Sequence, residues 1–147
     1  MEETMHVPTF SFLDKYRDTG LLVMRVGLGV IYLFHGWPKI SGGPELWAKV
    51  GGAIDVVGIG FAPVFWGFMA SCSEFFGALL LIFGLFSRPA LAFMSFTMFI
   101  ATVMLISSGQ SYAVFSHPLK MVVVFLSLIL IGPGRFSLDS KLSKSGN

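Results

Sequence analysis

The chain has 147 residues, of which 54% are hydrophobic and only 12% are charged, and its net charge is +2. Because a soluble domain carries about 25% charged residues, this composition excludes an ordinary water-facing surface and predicts one that faces the lipid bilayer. The small net charge, without a basic run that contains aromatic residues, argues against nucleic acid as a partner.

Four apolar segments are long enough, or nearly so, to cross a membrane, which takes about 20 residues. We predict that residues 1–18 lie on the inner surface of the membrane before the first of them. The acidic start MEET and the arginine within the first apolar run are not typical of a cleaved signal peptide, so we expect the first helix to be retained. The four predicted spans are 20–37, 61–86, 89–107 and 117–132.

Between the first two spans, a short amphipathic helix is predicted at the membrane interface. Leu46, Val50, Ile54 and Val57 fall on one helical stripe, and Trp47 is an interfacial anchor. After the last span, residues 136–147 are polar and predict a flexible cytoplasmic tail. The sequence therefore predicts an all-α membrane protein, a bundle of four transmembrane helices with one interfacial helix.

The lysines and arginines outside the apolar segments predict the orientation of the chain. With the N-terminus inside, six of them lie on the cytoplasmic side and three on the outer side, so we expect both termini in the cytoplasm. The inner set is Lys15, Arg17, Arg88, Arg135, Lys141 and Lys144, and the outer set is Lys39, Lys49 and Lys120.

Arg25 and Glu74 lie inside apolar spans, where a charge costs about 2.5 to 3.5 kcal/mol on insertion scales. One interpretation is that the two form an ion pair that fixes the register of the helices. The other is that Glu74 exchanges protons or binds a ligand and that Arg25 is its partner. The residues alone leave both interpretations open.

A polar group is also predicted at the outer end of the bundle. Tyr32 shares a helical face with Arg25, and His35 and Lys39 follow it, while His117 and Lys120 begin the fourth span at the same level. Imidazoles and ammonium groups suit a polar or anionic ligand. The simpler alternative is a set of interfacial anchors and helix caps. Two histidines with no third ligand do not predict a metal site.

These residues carry a resemblance to the DoxX family of small bacterial membrane proteins. The matching stretches are Arg25 followed by GLGVIYLFHGWPKI, then SEFFGALLLIFGLFSRPALAF, then GPGRFSLD, and together they extend from about Leu21 to Asp139. The resemblance implies a four-helix protein of the bacterial cytoplasmic membrane, related to the small membrane subunit of thiosulfate:quinone oxidoreductase. The positions that match the family pattern are Arg25, His35, Gly36, Lys39, Glu74 and the GPGR turn at 132–135.

We therefore interpret the chain as a redox-associated membrane subunit that interacts with quinone or a small membrane-soluble substrate, alongside a protein partner or further copies of itself. No glycine motif for a dinucleotide and no pair of axial histidines occurs, so we expect no covalently bound cofactor and name quinone as the candidate ligand. The chain supplies proton-exchanging groups without an electron-transfer centre, so we expect a subunit and not a complete enzyme.

The predicted site residues fall into two groups. The catalytic candidates are Glu74, His35 and Arg25, and the candidates for binding the quinone or substrate are His35, Lys39, Tyr32, His117 and Lys120. The alternative function is a structural membrane anchor that recruits a partner enzyme and has no chemistry of its own. A small transporter is a weaker third class, because four helices leave little room for alternating access.

Overall fold

The computed structural model describes residues 11–145, and every regular element in that range is helical. A 3-10 turn, Ser11–Tyr16, leads directly into the first long helix. The earlier part of the predicted interfacial segment, before residue 11, lies outside the described residues. The α-helices are α1 Arg17–Ser41, α2 Gly43–Gly51, α3 Pro63–Phe83, α4 Ser87–Ser107, α5 Tyr112–Ile131 and α6 Leu138–Ser145.

Four of these helices, α1, α3, α4 and α5, are long and apolar enough to span a membrane, which confirms the predicted all-α, four-span architecture. The fourth spanning helix begins at Tyr112 and not at the predicted His117. Ser111 has an extended backbone and starts the helix, so Pro118 lies inside it. The gain of about five residues gives α5 the length that a full crossing needs.

The predicted interfacial helix is also present, as α2 followed by a 3-10 segment, Gly52–Val57. We call residues 43–57 the roof, because they cover one end of the bundle. Ile54 of the roof is buried, as the predicted apolar stripe requires. Trp47 packs its ring on Phe68 of α3, with the centroids 4.9 Å apart.

Small residues set how closely α1 and α3 approach each other. A Cβ atom at Gly36 would lie 2.9 Å from the backbone nitrogen of Phe75, and one at Gly29 would lie 2.9 Å from the carbonyl oxygen of Ala78. Residue numbers fall along one helix as they rise along the other, so the two helices run antiparallel. On the other side of the bundle, Tyr32 of α1 packs its ring against Phe125 of α5 at 5.2 Å.

The C-terminal segment differs from the predicted flexible tail, because it folds against the bundle and ends in helix α6. The Asp139 carboxylate accepts hydrogen bonds from the backbone nitrogens of Phe86 and Ser87, at 2.8 and 2.9 Å. The backbone nitrogen of Asp139 in turn donates to the Gly84 carbonyl at 2.9 Å. An acidic side chain thus satisfies free N–H groups at the start of α4, which orders the segment. At the same end of the bundle, opposite the roof, Arg25 of α1 donates to the carbonyl of Phe136. We call this end the Arg25 end.

Candidate functional site

A cavity of about 650 Å³ lies under the roof, between α3 and α4. Nearer the Arg25 end the two helices are in contact, through a 2.7 Å hydrogen bond between the hydroxyls of Ser73 and Thr97. The cavity lies mostly on the roof side of that contact and extends past it to Glu74 and Phe93. Most of its wall is apolar, and its polar lining residues are His35, Lys39, Lys49, Ser73, Glu74, Thr97 and His117.

Glu74 is the buried charge of this site. It is only 1% exposed, yet it lines the cavity. Lys39 lies with its Nζ atom 2.7 Å from both carboxylate oxygens. Two charge-assisted bonds of this length offset much of the cost of keeping a carboxylate in an apolar span. The pair also ties the end of α1 to the middle of α3.

The roof holds Lys39 in position. Trp47 donates a hydrogen bond from its indole Nε1 to the carbonyl oxygen of Lys39, at 2.9 Å. This oxygen belongs to the last turn of α1, where carbonyl groups lack partners within the helix. The contact fixes the backbone from which the Lys39 side chain reaches Glu74.

His35 is the second side chain beside the carboxylate. Its Nε2 atom is 4.0 Å from Oε2 of Glu74, and its side chain is 54% exposed. At that distance the two groups are not hydrogen-bonded, but one bridging water would connect them. A half-exposed imidazole next to a buried carboxylate can pass protons between that carboxylate and its surroundings.

Tyr32 does not line the cavity, so the structure does not support its predicted contact with a ligand. Its hydroxyl donates to the sulfur of Met98 at 3.3 Å, and its ring is 3% exposed. The ring meets His35 edge-on, with the centroids 6.0 Å apart. Tyr32 therefore supports His35 from within the core.

The two residues of α5 that were predicted to bind the ligand differ in their position relative to the cavity. His117 is exposed and lines the cavity, whereas Lys120 is exposed and absent from its wall. The structure thus brings together four members of the predicted site, namely Glu74, Lys39, His35 and His117. Lys49 of the roof also lines the cavity and was not predicted.

The predicted pairing of Arg25 with Glu74 is wrong. Arg25 donates from Nη1 to the Leu81 carbonyl at 3.3 Å and from Nη2 to the Phe136 carbonyl at 2.8 Å. Because Gly36 is the α1 residue that packs beside Glu74 and Phe75, Arg25 lies 11 residues further along the helix, or roughly 16 Å away. The carboxylate's partner is Lys39, and Arg25 does not line the cavity.

A regular spacing of residues in the sequence could have indicated that Lys39 is the partner of Glu74. Arg25, Tyr32 and Lys39 are seven residues apart, so all three lie close to one face of α1. The sequence prediction groups only the first two on that face and assigns Lys39 to the ligand-binding group at the outer end, not to Glu74. Within residues 11–145, no three His, Cys, Asp or Glu side chains are grouped in a way that could hold a metal ion.

The fold and the site define a class of protein, a four-helix membrane bundle with a buried lysine–glutamate pair on the wall of an apolar cavity. The family model named DoxX matches residues 20–107, so the chain belongs to the DoxX family. That match covers α3, both members of the pair and the whole roof.

Two curated proteins are similar over nearly their full length. One is inner membrane protein YqjF of Escherichia coli, 29% identical over 90% of this chain and 98% of its own. The other carries the name "Putative oxidoreductase CatD" and comes from Bacillus subtilis, 29% identical over 92% of this chain and 98% of its own. No solved structure matches the chain.

Proposed function

We propose that this chain is a quinone-binding subunit of a membrane oxidoreductase, and that the cavity under the roof is its quinone site. The observation that carries the proposal is the Lys39–Glu74 pair on the wall of an apolar cavity of about 650 Å³. Ligand cavities are commonly of this size, mostly apolar, with a few polar groups that orient the ligand. The name of the Bacillus subtilis relative supports a redox role.

The lining residues would have different roles in the reduction of a quinone to a quinol. A quinone that becomes a quinol takes up two electrons and two protons. Lys39 would donate a hydrogen bond to a quinone carbonyl, while His35 and the Glu74 carboxylate would take up protons from their surroundings and pass them to the two quinone oxygens. The electrons would come from a redox centre in a partner subunit, since this chain supplies only proton-exchanging groups.

The assembly and its orientation belong to the same proposal. We place both termini in the cytoplasm of a bacterium and the chain in the inner membrane, in accord with the distribution of Lys and Arg and with the name of the Escherichia coli relative. The roof then lies on the outer face. A protein partner completes the electron-transfer unit, alone or together with further copies of this chain.

Quinone binding to the purified protein in lipid nanodiscs tests the proposal. A short-tailed benzoquinone is titrated while bound and free quinone are separated and measured. We expect Glu74→Gln to weaken binding about tenfold, or about 1.4 kcal/mol, because the pair that orients Lys39 is lost. Glu45→Gln is the matched control, since Glu45 is exposed in the roof and does not line the cavity.

One observation favours a second candidate, a structural anchor for a partner enzyme. The Lys39–Glu74 pair joins α1 to α3, and each group satisfies the other without a ligand. If quinone affinity is the same in Glu74→Gln, His35→Gln and the unaltered protein while all three remain folded, the quinone proposal fails and the anchor is the better account.

A further inference from the structure

The roof is fixed against the bundle by backbone contact. A Cβ atom at Gly67 of α3 would fall on the carbonyl oxygen of Trp47, and one at Gly51 would fall on that of Pro63. These contacts hold the roof to α3. The Trp47 hydrogen bond to Lys39 holds it to α1, and the buried Ile54 belongs to the 3-10 segment, which contacts α4. A cover attached in this way does not form a mobile gate toward water.

The lateral side of the cavity, in contrast, is open. Phe93 and Phe96 of α4 line the cavity and are 62% and 51% exposed. Met69 of α3 also lines it and is 40% exposed. Phe93 and Phe96 lie in the central part of a spanning helix, so their exposed faces meet the hydrocarbon of the bilayer. The side of the cavity between α3 and α4 is therefore lined by side chains that also contact lipid.

The lysines and histidines that line the cavity lie toward the roof, whereas its two phenylalanines lie toward the Arg25 end. Lys49 belongs to the roof, and Lys39 and His117 lie near the helix ends beneath it. Because Thr97 is level with Ser73 and the two helices run antiparallel, Phe96 lies at the level of Glu74 and Phe93 lies about one turn beyond it, toward the Arg25 end. A molecule in the cavity would thus meet polar groups at one end and phenyl rings at the other.

We infer that the cavity is loaded sideways from the bilayer core, through the opening between α3 and α4, by a quinone that carries an apolar tail. The ring lies at the Lys39–Glu74 pair, and the tail leaves the cavity across Phe93 and Phe96. The inference rests on the proposed function and adds to it the class of quinone, the route of entry and the direction of the bound tail.

The test compares two benzoquinones with the same ring, one without a tail and one with a decyl tail. Their affinities are measured in nanodiscs and expressed relative to quinone dissolved in the lipid, which removes the effect of partitioning. We expect the tailed quinone to bind the unaltered protein about tenfold more tightly, because part of its tail packs on the phenyl rings. The double variant Phe93→Ala, Phe96→Ala reduces that advantage to about twofold, because it weakens binding of the tailed quinone more than binding of the tail-less one.

The matched control is the double variant Phe76→Ala, Phe99→Ala. These two phenylalanines lie on α3 and α4 and are about half exposed, but they do not line the cavity. In this control variant, we expect the tailed quinone to bind about tenfold more tightly than the tail-less one, as in the unaltered protein. As a second measurement, Met69→Trp narrows the opening and slows association of the tailed quinone several-fold.

The outcomes separate the inference from the proposed function. Equal affinities of the two quinones for the unaltered protein, or an advantage of the tail that survives in Phe93→Ala, Phe96→Ala, would overturn sideways loading and leave the quinone site in place. Failure of both quinones to bind would overturn the proposed function together with the inference.

Discussion

Two charged side chains, Arg25 and Glu74, are buried in the spanning helices, and their surroundings differ. Arg25 is 1% exposed and donates to two backbone carbonyls, those of Leu81 and Phe136. Glu74 is equally buried, but its hydrogen-bond partner Lys39 is a flexible side chain and a cavity lies beside it. One charge is fixed by backbone, and the other is next to space for a ligand.

The difference distinguishes the structural role of Arg25 from the ligand-binding role that we propose for Glu74. Backbone carbonyls cannot move away without unfolding the segments that carry them, so Arg25 can serve only to hold α3 and the C-terminal segment to α1. A lysine side chain can turn from a carboxylate to a ligand at little cost in backbone structure. We therefore expect changes at the Arg25 end to alter stability, and changes at Glu74 to alter ligand binding more than stability.

Arg25→Met should have the largest effect on stability. The variant leaves the Phe136 carbonyl without this donor and removes one of two donors from the Leu81 carbonyl, which also accepts from the backbone nitrogen of Gly84 at 3.2 Å. The guanidinium also packs on Gly84. Because each hydrogen bond from a charged group contributes about 1.5 to 3 kcal/mol, we expect the free energy of unfolding to fall by about 3 to 5 kcal/mol. Denaturant unfolding in detergent micelles, followed by circular dichroism, measures it.

Arg88→Met is the control for this prediction. Arg88 is exposed and makes one hydrogen bond to a backbone carbonyl, that of Ile129 at 3.2 Å. Its loss should cost about 1 kcal/mol or less. Equal costs for the two variants would contradict the view that Arg25 holds the bundle together.

Lys39→Met is expected to have the next largest effect. It leaves the Glu74 carboxylate buried without its cation, which should cost about 2 to 4 kcal/mol of unfolding free energy. Glu74→Gln keeps a hydrogen-bonding side chain of the same shape and should cost about 1 kcal/mol. The double variant should be more stable than Lys39→Met alone, because no unpaired carboxylate remains. A strictly additive double variant would show that the two residues do not interact.

Asp139→Ala is expected to have a smaller effect at the Arg25 end. It removes the acceptor for the backbone nitrogens of Phe86 and Ser87 at the start of α4, at a cost of about 1 to 2 kcal/mol. Proteolysis should also detach the C-terminal segment more readily, since α6 loses this attachment. Asp14→Ala, in the exposed turn before α1, is the control and should change neither measurement.

The fold could be predicted because each element has a local signal. Long apolar runs give the four spans, and the stripe of Leu46, Val50 and Ile54 gives the roof. The partner of Glu74 could not be read in the same way. Periodicity gives the face on which a side chain lies, but the axial offset between two helices depends on how Gly36 packs against Phe75. That offset placed Lys39, and not Arg25, beside the carboxylate.

The attachment of the C-terminal segment to the bundle could not be predicted for a related reason. Its polar composition is typical of a free tail, and the contacts that order it join residues far apart in the sequence. Asp139 reaches the start of α4, and the Arg135 backbone nitrogen donates to Asp18 of α1 at 3.0 Å. Gly134 has a positive φ of 76°, which lets the turn pass Asp18 and Leu21.

Lys120→Gln should have the smallest effect of all, and it tests whether the cavity or the membrane level defines the site. The sequence places Lys120 at the level of Lys39, yet it does not line the cavity. We expect unfolding free energy to change by less than about 0.5 kcal/mol and quinone affinity to stay the same. Lys49→Gln, an exposed lysine that does line the cavity, is the informative comparison and should weaken binding. Equal losses in both variants would mean that positive charge near the membrane surface, and not contact within the cavity, attracts the ligand.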